Sequence, residues 1–265
     1  MTPIHVNQDI LVPAGYSEYE IDTERDLELS FRAQEDSDVF VRIVKAKSLR
    51  IRSFTPAGIR VSYLFWNVAE QPLKAEESYE VMAGGRLTVA YGECNRADTS
   101  RSTYVALREE GASALVSSAS LVSRKKDYQM DVVNFARHTA GEIRNYAVML
   151  KEGSLMIDAI GKIVKGASGS ESHQTSRALS FDEDQRAVIL PELLIDEDDV
   201  QASHAMSIGT VDEDAMYYLM SRGLSERQCT SLISTGYLMP ITETLENEEL
   251  RNALKAEMER KIGEL

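Results

Sequence analysis

The chain has 265 residues, 43% of them hydrophobic and 27% charged, enough for one large domain or two small ones with a buried core. Its formal net charge of −14 argues against nucleic acid or an anionic membrane as a partner, since both need a basic face. No apolar run approaches the ~20 residues that span a bilayer. The two cysteines, Cys94 and Cys229, have neither the spacing of a zinc site nor that of a disulfide framework.

The first residues carry no basic n-region followed by a continuous apolar stretch, so no signal peptide is expected and a reducing cytoplasm is the expected compartment. A short apolar segment at 10–13 is followed by polar sequence. From Leu27 the chain alternates: Leu27, Leu29 and Phe31 face one way, and Glu28, Ser30 and Arg32 the other. That period of two marks a half-buried strand. It returns at 39–44 and 49–54. Further strand segments are predicted at 59–68, 79–82, 87–91, 103–107, 114–122, 128–135, 143–150, 155–164, 176–181, 188–195 and 200–206. Turn-forming residues separate them at 83–85, 108–111, 151–153 and 182–185.

Roughly 180 residues pass without a convincing amphipathic helix, which disfavours parallel strands joined by helices. Small and polar stretches at 118–120, 136–140 and 161–172 read as bends. Many short strands with small residues at the bends suit a β-solenoid without a strict repeat. A Greek-key sandwich is the structural alternative.

After Gly209 the period changes. Residues 212–222 place Met216, Leu219 and Met220 at helical spacing. Ser225 and Gln228 have the spacing of a capping box. Cys229, Leu232 and Ile233 fall on one helical face, Gly236 is the expected stop, and Pro240 breaks the chain. Residues 247–262 carry Leu250, Leu254, Met258 and Ile262 four apart, an apolar stripe that either packs back on the sheet or faces a partner. From Asp182 onward 19 acidic residues stand against 7 basic ones. Such a region favours a basic protein partner or a metal cation, with a solvated acidic surface as the plain alternative.

His204, just before the change from strand to helix, is the first candidate for function. Neutral imidazole is a common ligand for iron, and carboxylates at Glu192 and at Asp196–Asp199 could add oxygen ligands. Cys94 closes a strand, where it could be exposed, whereas Cys229 reads as a small buried hydrophobe. His173 lies in a Gly/Ser-rich segment, 166–176, that reads as a flexible loop, and His138 lies near a surface turn. The Gly166–Ser170 run lacks the Gly-Lys-Ser/Thr ending of a phosphate loop and no helix follows it, so ATP is not expected there.

The run 191–224, PELLIDEDDVQASHAMSIGTVDEDAMYYLMSRGL, resembles the C-terminal core of the SufB/SufD family of iron–sulfur cluster assembly proteins, and its D-type members more closely. The resemblance rests on Pro191, Glu192, Ile195, Asp198, Asp199, Val200, Ser203, His204, Gly209, Asp212, Tyr218, Leu219, Ser221, Arg222 and Gly223. Residues 161–167, Ser170, Gln174 and Arg177 also fit, and the likeness covers about 140–265. It implies a right-handed parallel β-helix over 1–209 with a C-terminal α-helical region at 210–265. It implies a subunit that is no enzyme on its own. Such a subunit dimerises through its β-helix edges, with a SufB-like protein or a second copy of itself. It also binds SufC, an ABC-type ATPase, through its helical region.

His204 is then the residue expected to bind iron or a nascent iron–sulfur cluster at the dimer seam. Two departures stand out: Ala202 occupies the place of a D-type cysteine, and Thr175 that of the B-type cysteine. Full-length relatives also carry an N-terminal helical region that residues 1–140 do not match, which leaves a minimal homodimeric homologue open. A β-helical carbohydrate-active enzyme, with paired carboxylates or a Ca²⁺ site, is the alternative from another class. A single Trp for stacking on sugars counts against it. A purely structural subunit with an inert His204 is the third reading.

Overall fold

Alternation of buried and exposed positions organises the computed structural model of the chain, which describes residues 1–181 and 186–263. Its first strands are β1 (Thr2–Ile4), β2 (Gln8–Val12), β3 (Gly15–Asp22), β4 (Asp26–Ala33), β5 (Ser37–Lys45) and β6 (Ser48–Thr55). Then come β7 (Arg60–Asn67), β8 (Leu73–Val81), β9 (Arg86–Glu93), β10 (Thr99–Leu107), β11 (Ser113–Val122) and β12 (Lys125–Asn134). The last are β13 (Ala140–Met149), β14 (Ser154–Ile163), β15 (Ser170–Ser180), β16 (Arg186–Ile195) and β17 (Val200–Thr210). Odd strands form a nine-stranded sheet in the order β1-β3-β5-β7-β9-β11-β13-β15-β17, and even strands an eight-stranded sheet running from β2 to β16. The pairings are parallel, as in β10–β12 and β11–β13, so the molecule is a β-solenoid with two strands per coil. The Greek-key alternative, which needs antiparallel pairs, is excluded.

The coils lengthen along the chain. The register offset is 22 residues at Gly15↔Ser37, 27 at Ser113↔Ala140 and 32 at Ser154↔Arg186. A growing period explains why no repeat is visible in the sequence. Inward positions of both sheets make one core, including Leu27, Leu29, Phe31, Val61, Tyr63, Phe65, Leu155 and Ile157. Within it Phe31 meets Tyr63 at 5.5 Å, Tyr63 stacks on Phe65 at 5.9 Å, and Phe65 stacks on Tyr91 at 5.9 Å. Such pairs are worth about 0.5–1.5 kcal/mol each beyond their buried area.

Several boundaries differ from the sequence-based expectation. β1 and β3 were not predicted: β1 has three residues with only Ile4 buried, and in β3 polar residues at half-buried positions dilute the alternation. Residues 118–120 are no bend: Ser118, Ala119 and Ser120 are buried mid-strand in β11. Only the middle of 161–172 is a turn, at 164–169, and residues 161–163 and 170–172 are strand. His173 sits in β15 rather than in a flexible loop, because the coil continues through it. The expected turn at 182–185 lies outside the described residues.

The helical region is α1 (Glu213–Ser221), α2 (Glu226–Leu238), a 3₁₀ turn (Met239–Thr244) and α3 (Glu248–Gly263). Asp212 caps α1 by accepting the Asp214 N–H at 2.9 Å. The Ser225/Gln228 capping box forms as predicted. Gly236 lies inside α2 rather than ending it, and Leu232 points to solvent while Cys229 is buried.

The region folds back over the outer face of the nine-stranded sheet. α2 packs on β13 and β11, the 3₁₀ turn on β13, β11 and β9, and α3 on β7 and β5. Leu250, Leu254, Met258 and Ile262 are fully buried in a second hydrophobic cluster with Phe40, Leu64, Trp66, Ala90 and Val148. The stripe on α3 is therefore internal packing and is not available to a partner. Trp66 fits because Gly92 has no side chain: a Cβ there would lie 2.0 Å from the indole ring. Polar anchors pin the return. Arg42 pairs with Glu257 at 2.6 Å, and the Asn247 Nδ2 donates to Asp38 at 2.9 Å. No helix among the described residues is long and apolar enough to cross a membrane.

Candidate functional site

Among the described residues β17 is the last strand of its sheet, so its far edge has no partner strand there and it is exposed almost throughout. Its register against β15 is regular, with His173 opposite Ser203, Gln174 opposite His204 and Thr175 opposite Ala205. In-register neighbours in a parallel sheet point to the same side. Ser170, Ser172, Gln174 and Ser176 are the buried, inward residues of β15, whereas Glu171, His173 and Thr175 face outward. His204 therefore lies on the inner face, at the open end of the solenoid, beside Gln174. Ser203 lies on the outer face, where its hydroxyl meets His173 Nδ1 at 2.7 Å. His173 Nε2 stands 3.5 Å from Glu171. Ala202 shares the inner face with Ser172, and Thr175 points outward.

Glu192 is placed differently. On β16 it is opposite Ile160, while its neighbour Pro191 is opposite the buried Ala159. Its side chain belongs to the outer face of the eight-stranded sheet, near Asp131. Burial pushes the Asp131 carboxyl up, and the charges of Asp158 and Glu192 add to that. What links Glu192 to the inner face is its main chain: its carbonyl accepts from Gln174 Nε2 at 2.9 Å. The acidic turn after β16 is engaged locally. The Glu197 carboxylate accepts the Gly166 N–H at 2.8 Å and the Asp198 N–H at 3.0 Å. These backbone bonds hold it below the usual carboxylate range. Asp199 accepts the Ser168 hydroxyl at 2.7 Å. The Gly166–Ser170 segment is thus stitched to the next coil. No group of three His, Cys, Asp or Glu among the described residues is arranged to hold a metal ion.

A second polar constellation lies inside the solenoid. Arg101 pairs with Glu77 and, at 2.7 Å, with Glu93. Lys126 Nζ donates to Asn95 Oδ1 at 2.8 Å, to the Ala97 carbonyl at 2.9 Å and to Thr99 Oγ1 at 2.9 Å. The Tyr79 and Tyr91 hydroxyls both donate to Glu77, and the Arg101 guanidinium stacks 4.1 Å over the Tyr91 ring. Burial pushes Glu77 up. Burial also opposes ionisation of Glu93, but Arg101, Lys126 and the Asn67 amide outweigh it and hold Glu93 below the usual range. Sequence patterning had not marked this group. The available signal was parity: extending the alternation of Tyr79 and Val81 backwards puts Glu77 inward, as Val105 does Arg101 and Tyr128 does Lys126.

Cys94 is not accessible. It is 4% exposed, and burial pushes its thiol up to about 12. It follows the end of β9 and belongs to the second hydrophobic cluster, together with the buried stripe of α3. Cys229 is fully buried, as expected for a small hydrophobe. His138 is in a turn at a φ of 54°, with an exposed ring.

The model of the family described as "SUF system FeS cluster assembly, SufBD core domain" matches residues 70–237. That span covers β8 to β17 and most of α2. The iron-sulfur cluster assembly protein SufD of Bacillus subtilis is 38% identical over 137 residues, covering 52% of this chain and 31% of the relative. The iron-sulfur cluster assembly protein SufB of the same organism is 27% identical over 185 residues, covering 68% and 37%. An iron-sulfur cluster assembly SufBD family protein of Staphylococcus epidermidis is 26% identical over 185 residues, covering 68% and 37%. The chain spans about a third of the length of these curated relatives.

Proposed function

Because the chain belongs to the SufBD core family of the SUF system for iron–sulfur cluster assembly, we propose that it is a non-catalytic scaffold subunit of a cytoplasmic assembly complex. Its open C-terminal end pairs with a SufB-like protein or with a second copy. Its helical region couples that pair to a SufC-like ABC ATPase. His204 takes iron or a nascent cluster as cargo at the seam, and Glu192 reaches that inner face only through its main-chain carbonyl, bonded to Gln174. The remaining ligands come from the partner, since neither thiol of this chain reaches the open end.

The observation that carries this reading is the end itself. β17 offers an eleven-residue edge, a ready template for another chain. Met206 and Ile208 on β17, with Val188, Leu190 and Leu194 on β16, are 42–51% exposed. An apolar surface of this kind around a long free edge marks an interaction site. For the ATPase, α3 is spent on internal packing, which leaves α1 and α2. Tyr217, Tyr218 and Met220 are exposed there. Tyr217 and Met220 border a cleft of about 420 Å³ that Phe181, Val211, Met216 and Thr230 also line.

Co-expression with a SufC-like ATPase and anaerobic purification test the reading. A stable complex with stimulated ATP turnover is expected, and its absence contradicts the coupling role. His204→Ala is expected to leave that complex intact while abolishing cluster assembly. Unchanged assembly would remove His204 from the site and leave the scaffold standing.

A further inference from the structure

Gln174 holds a polar atom that nothing satisfies. The residue is 3% exposed. Its Nε2 donates to the Glu192 carbonyl at 2.9 Å across the interior, from β15 to β16. That bond decides which end of the amide is nitrogen. The other end, Oε1, is buried and has no partner. A buried carbonyl oxygen without a donor is an exception that asks for a cause. The coil beneath is cleared for this amide: Gly161 has no side chain, and a Cβ there would lie 2.9 Å from Gln174 Nε2 and 2.2 Å from Ser172 Oγ.

The neighbour that can supply the donor is His204. It is opposite Gln174 in register, on the same inner face, one strand spacing of about 4.8 Å away. Its exposed ring has room to turn. Beside the pair, Ser176 accepts from Asn145 at 3.1 Å, and its hydroxyl makes no bond to Oε1.

We infer that Gln174 is the positioning residue of His204: its Oε1 accepts one imidazole N–H and so selects the tautomer. The other ring nitrogen then carries the lone pair and faces the open end. This is the arrangement in which a second partner of a metal-binding histidine fixes ring orientation and raises affinity. The inference rests on the reading of His204 as the iron-binding residue, but the hydrogen bond can be tested without iron.

The experiment uses the full chain with ¹⁵N-labelled histidine at about pH 8, where imidazole is neutral, and His204→Ala to assign the signal. The wild type is expected to show one pyrrole-type and one pyridine-type nitrogen for His204, a single tautomer. Gln174→Leu should give averaged shifts, and Gln174→Glu, which keeps an acceptor, should restore the split. Anaerobic Fe(II) binding should weaken about 10–100-fold in Gln174→Leu and much less in Gln174→Glu. Should Gln174→Leu fail to fold, Gln174→Asn, whose amide is too short to reach, is expected to give the averaged shifts. Averaged shifts in the wild type, or a split unchanged in both the Leu and Asn variants, would overturn the inference. A tautomer that follows Gln174 in a protein that binds no Fe(II) would uphold the positioning and sink the iron assignment.

Discussion

At the scale of single residues, the molecule keeps its charges in two very different settings. Arg101, Glu77, Glu93 and Lys126 are sealed in the core with their partners. A buried charge is tolerable only while its partner is present. Arg101→Met leaves Glu77 without its cation and Glu93 with Lys126 alone, and is expected to cost about 3–5 kcal/mol, read as a lower urea midpoint. A midpoint within error of wild type would show the network to be dispensable. Cys94 supplies a pH prediction. Its folded pKa, about 12, lies above the ordinary value of 9.0. Its contribution to stability is therefore complete below pH 9 and is lost as the pH rises towards 12. Native protein should resist thiol reagents at neutral pH. Cys94→Ala should remove the part of the alkaline destabilisation that sets in near pH 9. The tyrosines Tyr79, Tyr91 and Tyr128, also raised by burial, govern the further loss of stability above pH 10. Rapid labelling of Cys94 in the folded state would contradict the burial argument.

At the scale of elements, the alternation of β4 and the fourfold spacing of α3 were both legible, because each follows from one local period. What the spacing of α3 could not tell was its destination. Leu250, Leu254, Met258 and Ile262 suit a sheet face and a foreign groove equally, and only the three-dimensional return over β5 and β7 decides between them. The residues that receive them gave a sign in retrospect. β7 is apolar on both faces, with Leu64 and Trp66 outward and Tyr63 and Phe65 inward. A strand buried on both sides needs a second layer. Leu254→Ala is expected to cost about 2–5 kcal/mol in thermal or urea unfolding. It should also raise proteolysis of residues after Leu245 first, as the return lifts from the sheet. Equal cleavage across the coils would argue against a separable helical layer. The resemblance drawn from 191–224 covered His204 but not the coil corners. The family match begins at 70, well before 140, where the likeness read from the motif residues begins. The inward Glu77, Arg101 and Lys126 were missed for a related reason: charge was read as surface, although parity placed all three inside.

At the scale of the whole molecule, helices roof the outer face of the nine-stranded sheet, and among the described residues no helix packs on the eight-stranded sheet and no strand pairs with the far edge of β17. On the function proposed above, the β17 end, with His204 beside Gln174, is an assembly seam, and the α1–α2 surface couples it to an ATPase. The direct test is the mass and composition of the complex recovered when the chain is co-expressed with SufB-like and SufC-like proteins, comparing wild type with Ile208→Asp and Tyr217→Asp. The account predicts that wild type yields an assembly containing either the SufB-like protein or a second copy, together with the ATPase. Ile208→Asp should lose the pairing and keep the ATPase, whereas Tyr217→Asp should keep the pairing and lose the ATPase. An assembly that forms equally with both variants, or a wild type that remains a lone chain in the presence of both proteins, would contradict it.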